Sequence, residues 1–97
     1  MHGRYWVYIV TDKPFGTIYV GFTGDIFGRS FEHREGLYKG FAKKYGLKML
    51  VYAEECSEVH DAIAREKQLK KWKRAWKIDL IKKLNPDWRD LYESLNG

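Results

Sequence analysis

The sequence of 97 residues has few of the features that mark secreted, membrane-spanning or disordered proteins. It has one cysteine and two prolines, and no uncharged apolar run approaches the roughly 20 residues of a membrane span. Because Cys56 is alone, it cannot form an internal disulfide, and we expect it to be a buried bystander in a cytoplasmic protein. Apolar residues make up 44% of the chain, enough for a folded core, so we predict one domain over residues 1–97.

The charge of the chain is unevenly distributed. Lysine and arginine number 18 against 13 acidic residues, a net charge of +5. The segment from Arg65 to Lys83 alone has nine basic and two acidic residues, a net of +7, so the remainder carries about −2. A basic segment that also contains Trp72 and Trp76 is typical of a phosphate-binding surface. A solvated helix face would have the same composition, so charge alone leaves both interpretations open.

The strand signals predict a small sheet. Residues 5–10 and 17–22 are rich in β-branched and aromatic side chains, and residues 12–16 between them contain the Pro and Gly of a turn. Two strands joined by so short a loop pair antiparallel, so this segment predicts a hairpin. Residues 48–53 predict a third strand.

Two helices and a short connector are predicted around the third strand. The first helix covers residues 26–34, with a start signal that includes Asp25 and an end at Gly36. The basic connector over residues 40–46 has room for one short helix. The second helix begins after Ser57 as N-cap and has apolar residues at helical spacing.

The C-terminal part of the chain predicts two more helices. One covers residues 74–84, and Asn85-Pro86 then fits the start of a last helix, with Asn85 as its cap. The apolar faces are Trp76, Leu80 and Leu84 on the former and Trp88, Leu91, Tyr92 and Leu95 on the latter. The order of the elements predicts an α+β fold, with a small sheet covered by helices.

Glu66 is the most informative single position. It lies on the apolar face of its predicted helix, between Ile63 and Leu69. Burying an unpaired carboxylate is costly, so Glu66 needs a basic side chain, a hydrogen-bond network or a metal ion as its partner. A salt bridge satisfies this requirement as well as a metal does.

Four other residues are individually weak candidates for a site. Arg29 and His33 are four residues apart, on one face of their predicted helix, where they could equally be exposed. Tyr8 and Tyr19 lie on neighbouring predicted strands, where tyrosine more often packs in the core.

Taken together, these residues resemble the GIY-YIG nuclease family. Val7-Tyr8-Ile9 and Tyr19-Val20-Gly21 are similar to the paired strand signatures that name the family, although Trp6 stands where the first signature has glycine. Arg29, His33 and Glu66 follow in the order that the family uses. Residues 40–45, 64–72 and 85–88 look like its compact stand-alone bacterial branch.

This resemblance implies a fold, a cofactor and a role for each residue. The fold would be a three-stranded antiparallel sheet flanked by helices. Glu66 would hold one divalent ion, Mg²⁺ or Mn²⁺, for which a single carboxylate suffices, and Arg29 would bind a phosphate oxygen. Tyr8, assisted by Tyr19, would activate the attacking water, and His33 is the alternative general base because it titrates near neutrality.

The resemblance also implies nucleic acid, with DNA foremost, as the binding partner. The expected backbone contacts are Lys43, Lys44, Lys67, Lys70, Lys71, Lys73, Arg74 and Lys77. Trp72 has two interpretations, a core side chain or a platform for an unpaired base. Two departures from the family pattern, Gly28 in place of a basic residue and Phe22 in place of lysine, predict a weaker hold on the substrate.

Three functions fit these observations. The first is a structure- or backbone-directed endonuclease of DNA repair or recombination, acting as a monomer or weak dimer, alone or recruited by a repair protein. The second is a nucleic-acid-binding module with the same fold and little turnover. The third is a basic amphipathic helix over residues 67–77 for an anionic membrane surface or a partner protein. We favour the first and expect no membrane partner.

Overall fold

The structure, a computed structural model that describes residues 4–96, is built on a three-stranded antiparallel sheet. Strand β1 (Tyr5–Thr11) lies between β2 (Ile18–Thr23) and β3 (Met49–Cys56). The predicted hairpin is confirmed, with Tyr8 directly opposite Gly21 in the register of β1 and β2. The third strand runs three residues beyond its predicted end.

Alternate residues of β1 face opposite layers of the molecule. Val7 and Ile9 are fully buried in one apolar cluster, together with Ala62 and Leu69. Tyr8 and its neighbour Val10 belong to a second buried cluster on the other side of the sheet. The central strand is therefore buried on both faces, and its even-numbered residues face the layer that contains the first two helices.

Four α-helices flank the sheet, as predicted for an α+β fold. They are α1 (Ile26–Arg34), α2 (Phe41–Lys44), α3 (Val59–Lys71) and α4 (Arg74–Leu84). The predicted bounds of α1 and α4 are confirmed, and the Asp25 side chain caps α1 by accepting a 2.9 Å hydrogen bond from the amide of Gly28. Gly36, just past the end of α1, has a positive φ of 71°, a conformation that favours glycine. None of the helices within residues 4–96 has the length and apolar character needed to cross a membrane.

The prediction that Ser57 caps α3 is wrong. Because β3 continues to Cys56, the chain turns at Ser57, and Glu58 occupies the N-cap position without a side-chain capping bond. The carbonyl of Glu58 accepts the 3.2 Å hydrogen bond of Ala62 instead. The predicted apolar face of α3 is correct, since Ala62 and Leu69 are buried.

The face predicted for α4 packs on the core only in part, through Leu80. Ile81 is the buried residue of this helix, whereas the side chains of Trp76 and Leu84 are about half exposed, at 51% and 53%. The spacing identified a stripe of large apolar residues, but the buried Ile81 lies on another side of the helix.

The prediction of a last helix starting at Asn85-Pro86 is also wrong. Trp88 has a positive φ of 54°, which interrupts any helix, and only a 3-10 helix follows at Leu91–Asn96. Asn85, which is 4% exposed, instead anchors the segment to the sheet: its side-chain amide donates to the carbonyl oxygens of Val51 (3.2 Å) and Arg89 (2.8 Å).

The C-terminal segment protects the outer edge of β3. The Asp90 carboxylate accepts a hydrogen bond of 3.2 Å from the amide of Leu50, while Asn85 satisfies the carbonyl of Val51. Asp90 also forms a 3.1 Å salt bridge with Arg34 at the end of α1. Backbone groups at an open sheet edge need partners, and side chains supply them here.

Candidate active site

Tyr8 and Gly21 form the floor of the candidate site. They are cross-strand partners in β1 and β2, and Tyr8 is only 1% exposed. A Cβ atom added at Gly21 would stand 2.6 Å from the Tyr8 hydroxyl oxygen and 3.1 Å from Cε2 of Tyr19. Only glycine therefore lets the Tyr8 ring lie across the strand, which gives a physical reason for glycine in this sequence signature.

Helix α1 brings Arg29 and His33 to the Tyr8 hydroxyl. Residues four apart lie on one helix face, and both side chains reach the same oxygen atom. The His33 Nε2 atom lies 3.0 Å from the Tyr8 hydroxyl, and Arg29 Nη1 donates a 3.3 Å hydrogen bond to it. The possibility that Arg29 and His33 are merely exposed is excluded, because His33 is 3% exposed.

The protonation states of this trio follow from burial. Burial raises the pKa of Tyr8 above its ordinary value, more than the Arg29 guanidinium lowers it. Burial and the positive charge of Arg29 lower the pKa of His33 to about 4. At neutral pH Tyr8 and His33 are therefore both uncharged, and the expectation that His33 titrates near neutrality is wrong. In the His33 tautomer with an unprotonated Nε2, the Tyr8 hydroxyl donates to this nitrogen while Arg29 donates to the phenol oxygen.

Neighbouring groups bind two of the three guanidinium nitrogens of Arg29. Its Nε pairs with Glu32 at 3.3 Å, and its Nη1 donates to Tyr8 and to the carbonyl oxygen of Phe22, each at 3.3 Å. Its guanidinium carbon lies 4.1 Å from the ring centroid of Tyr38. Within residues 4–96, the Nη2 atom has no hydrogen-bond partner, so two N–H donors remain for an oxyanion.

Tyr38 is a residue of this site that the sequence patterns did not identify. Its ring stacks on Arg29 and lies 4.9 Å from the His33 ring, centroid to centroid. The chain reverses at Gly36 and carries Tyr38 back over the helix that it has just left. The signal in the sequence was the helix-ending glycine, which predicts the reversal but not the contact.

Phe41 and Tyr19 extend the aromatic surface toward α2. Their rings stack with centroids 6.2 Å apart, and Phe41 is 48% exposed. Tyr19 in turn lies 6.3 Å from the His33 ring. Tyr19 therefore lies beside His33, the residue that contacts Tyr8.

Glu66 lies in the opposite layer and is linked to the cluster through Lys70. It lies on α3, which packs against the Val7 and Ile9 face of the sheet. Its side chain is 15% exposed and forms a 3.1 Å salt bridge with Lys70, one turn further along the helix. The Lys70 ammonium also lies 5.2 Å from the ring centroid of Tyr19. Lys70 thus joins Glu66 to the Tyr19 side of the cluster.

The basic residues expected to contact nucleic acid are exposed, except Lys77. Lys43 and Lys44 lie on α2 beside Phe41, and the ammonium of Lys73 lies 5.7 Å from the Trp76 ring. Arg74, however, donates two hydrogen bonds, of 2.7 and 2.6 Å, to the carbonyl oxygens of Phe15 and Gly16 in the β1–β2 loop. Arg74 therefore has a structural role. Of the other expected contacts, Lys67, Lys70 and Lys71 are also exposed.

Two further candidates for nucleic-acid contact, Trp72 and Lys77, are partly buried. Trp72 is half-buried and packs against the core cluster of the Val7 face, with Arg65 over its ring. The core interpretation of Trp72 therefore fits the structure. Lys77 is also half-buried, and burial lowers its pKa.

The two departures from the family pattern have local explanations. Gly28 donates the amide that caps against Asp25, and a side chain at this position would collide with that carboxylate. Phe22 is half-buried against the core, and its carbonyl holds Arg29. Gly28 therefore allows the cap at the start of α1, and Phe22 helps to orient Arg29.

The chemistry of the donors fits a hydrated magnesium ion better than a caged metal. Within residues 4–96, no group of three or more His, Cys, Asp or Glu side chains could hold an ion together. Glu66 offers a half-buried carboxylate, and within the described residues Lys70 pairs with its Oε2 atom and leaves Oε1 without a partner. Mg²⁺ retains most of its waters and commonly uses one or two protein carboxylates, so a single residue such as Glu66 would suffice as its protein ligand.

Comparison with known proteins places this site in a family. Residues 4–79 match the GIY-YIG catalytic domain. A UPF0213 protein of Syntrophus aciditrophicus is 38% identical over 85 residues, which cover 84% of this chain and 93% of the relative. A UPF0213 protein of Staphylococcus saprophyticus is 32% identical over 78 residues, with 80% and 94% covered. No solved structure gives a significant match. The chain therefore belongs to the GIY-YIG family of nuclease domains.

Proposed function

We propose that this protein is a metal-dependent endonuclease that hydrolyses phosphodiester bonds in DNA. The observation that carries the proposal is the hydrogen-bonded trio of Tyr8, His33 and Arg29. A neutral hydrogen-bond acceptor and a cation meet there on one phenol oxygen. This arrangement suits moving a proton next to a phosphate, and a core tyrosine has no need of it.

Arg29 supplies the phosphate contact. Its Nε and Nη1 donors are already engaged, which orients the guanidinium, while the Nη2 donors point to no protein partner within residues 4–96. A guanidinium held in place needs no reorganisation when negative charge develops on a phosphoryl oxygen. The stacked Tyr38 ring restricts its remaining movement.

Tyr8 and His33 act as one unit in activating water. As the water oxygen attacks phosphorus, its proton passes to the Tyr8 oxygen, and the Tyr8 proton passes to Nε2 of His33. The bond from phosphorus to the leaving oxygen breaks on the opposite side. In this relay free phenolate is never required, and the negative charge of the bound phosphate would favour the imidazolium formed on His33, whose pKa is low in the free protein.

Glu66 would hold the divalent ion, which supplies charge stabilisation at the phosphate and at the leaving oxygen. Mg²⁺ is the ion that fits a single carboxylate best, and Mn²⁺ shares its preference for oxygen ligands. Lys70 contacts both the Glu66 carboxylate and the Tyr19 ring, so it links Glu66 to the aromatic residues of the cluster.

The substrate is held by its backbone. The exposed lysines on α2 and α3 provide contacts to phosphates, which position a nucleic acid without reading its sequence. We therefore infer a structure- or backbone-directed enzyme of DNA repair or recombination, acting in the cytoplasm as a monomer or weak dimer that a repair protein recruits.

One observation favours a second candidate, a nucleic-acid-binding module with little turnover. The Glu66 carboxylate is already paired with Lys70, so it has an electrostatic partner without a metal. In such a module the pair would simply stabilise α3.

Cleavage of labelled duplex, flap, fork and single-stranded DNA in Mg²⁺ or Mn²⁺ tests these alternatives. The proposal predicts metal-dependent cutting that is lost in Glu66→Ala and in Arg29→Ala, with the preferred substrate identified by its rate. The binding module is favoured if the wild type binds all four DNAs at low salt but cuts none of them, and if both variants give the same result.

A further inference from the structure

The carboxylate expected to bind a metal ion already has a cation beside it. Lys70 Nζ lies 3.1 Å from Oε2 of Glu66, one helical turn away. The Glu66 side chain is 15% exposed, whereas that of Lys70 is 45% exposed. The carboxylate is therefore half-buried and fixed, and the ammonium is the accessible and movable member of the pair.

Lys70 has a second contact, which places its ammonium on the side of the catalytic cluster. The Nζ atom lies 5.2 Å from the ring centroid of Tyr19, and this ring lies 6.3 Å from that of His33. A cation bound to Glu66 on this side would meet the ammonium directly. Two positive charges cannot share this carboxylate without strong repulsion.

We propose that Lys70 is an exchangeable counter-ion of Glu66 that makes metal binding and nucleic-acid binding depend on each other. In the free protein, Lys70 neutralises Glu66 and weakens its affinity for a divalent ion. When a phosphate of the substrate approaches, it attracts the ammonium and frees the carboxylate. The metal ion then binds to Glu66 in a protein that already holds its nucleic-acid substrate. This inference rests on the proposed nuclease function.

The geometry of the lysine side chain permits such an exchange. Its ammonium is a compact charge on a flexible four-carbon stem, and it can turn from a carboxylate to a phosphate without any movement of the helix. The ammonium is the more exposed member of the pair, so it can leave Glu66 for a phosphate without itself being taken out of water. Because binding linkage is reciprocal, the metal must also strengthen nucleic-acid binding by the same factor.

Binding of Mn²⁺ to the nucleic-acid-free protein, followed by electron paramagnetic resonance, tests the first half of the proposal. Lys70→Met should bind Mn²⁺ about two- to fivefold more tightly than the wild type, as expected for loss of an exposed ion pair. Lys71→Met removes the same charge from the next position of α3 and should leave the affinity unchanged. Lys70→Arg should resemble the wild type.

The second half is tested with a short DNA duplex and Ca²⁺, by comparing fluorescence anisotropy in Ca²⁺ and in EDTA. In the wild type and in Lys71→Met, Ca²⁺ should tighten DNA binding. In Lys70→Met this tightening should shrink by about the same two- to fivefold factor, because the metal no longer competes with an ammonium.

The outcomes separate this inference from the function on which it rests. If Glu66→Gln and the wild type bind Mn²⁺ equally, Glu66 is not the metal ligand and the proposed nuclease mechanism fails. If binding depends on Glu66 but Lys70→Met and Lys71→Met have equal affinities and equal Ca²⁺ effects, the exchange is refuted while the proposed function stands.

Discussion

The hydroxyl oxygen of Tyr8 lies 3.0 Å from Nε2 of His33, and this contact joins the central strand of the sheet to the inner face of α1. Both residues are almost completely buried, and both are uncharged at neutral pH. Arg29 is the charged neighbour that completes the group. A buried tyrosine–histidine pair beside a fixed guanidinium has consequences for pH dependence, for catalysis and for folding.

His33 should make the protein less stable in acid. Its pKa is lowered to about 4 in the folded chain, against 6.5 for an ordinary histidine. Between these values the unfolded chain binds the extra proton, so the free energy of unfolding decreases as the pH falls through this window. The slope due to one group is at most about 1.4 kcal/mol per pH unit. Urea unfolding at several pH values measures it, and His33→Gln should remove that part of the slope.

Tyr8→Phe should abolish most of the cleavage activity while leaving the fold intact. The substitution removes only the hydroxyl, so packing against Gly21 is kept and the proton relay is lost. We expect a fall in the cleavage rate of about a hundredfold or more, with little change in DNA affinity. Single-turnover rates and anisotropy on one substrate measure both quantities. Equal losses of rate and affinity would instead make Tyr8 a binding residue.

Gly21→Ala should displace Tyr8. The added methyl group would overlap the phenol oxygen of Tyr8 and crowd Tyr19, so the hydroxyl must leave its position between Arg29 and His33. A displacement of about 1 Å is enough to lower the cleavage rate by about a hundredfold. Gly24→Ala is the matched control, because its nearest neighbour would be an ordinary contact at 3.6 Å. The prediction fails if both variants cut at the same rate.

Tyr38 should act by positioning Arg29. Tyr38→Phe keeps the ring that stacks on the guanidinium and should retain near-normal activity. Tyr38→Ala removes the ring and should lower the cleavage rate about three- to tenfold, the range of a partly exposed cation–π contact. Kinetics of both variants over a series of substrate concentrations would show whether the loss is in kcat, as positioning requires. A loss confined to KM would point to a direct substrate contact.

Asn85→Ala should destabilise the fold without touching the site. The substitution leaves the buried carbonyl of Val51 and the amide of Arg89 without their partner, which costs about 2 kcal/mol. Pro86→Ala, at the exposed neighbouring position, should have a small effect. Thermal and chemical denaturation of both proteins provide the comparison, and similar unfolding free energies would contradict the anchoring role of Asn85.

The elements of this fold that depend on local signals were predictable from the sequence. The hairpin and the bounds of α1 and α4 follow from periodicity, turn residues and caps, which act over a few neighbours. Ser57 failed as a cap because strand pairing extended β3, a non-local effect. The last helix failed because Asn85 finds better hydrogen-bond partners on β3 than it would at a helix start.

The site was predictable as a set of residues but not as an arrangement. Spacing placed Arg29 and His33 on one helix face, and the resemblance added Tyr8, Tyr19 and Glu66. Nothing in the local sequence indicates that Tyr38 stacks on Arg29, or that Lys70 bridges Glu66 and Tyr19 across two layers. Such contacts arise only when helices from both faces of the sheet meet near β2.

Single-turnover cleavage of DNA in Mg²⁺, at protein concentrations above the dissociation constant, tests the nuclease assignment most directly. Saturation removes any difference in binding, so the rate reports the chemical step alone. We predict that the wild type cuts in Mg²⁺ but not in EDTA, and that Glu66→Gln cuts about a hundredfold or more slowly. If the wild type is inactive on every DNA structure, or if Glu66→Gln cuts at the wild-type rate, the metal-dependent nuclease account is contradicted.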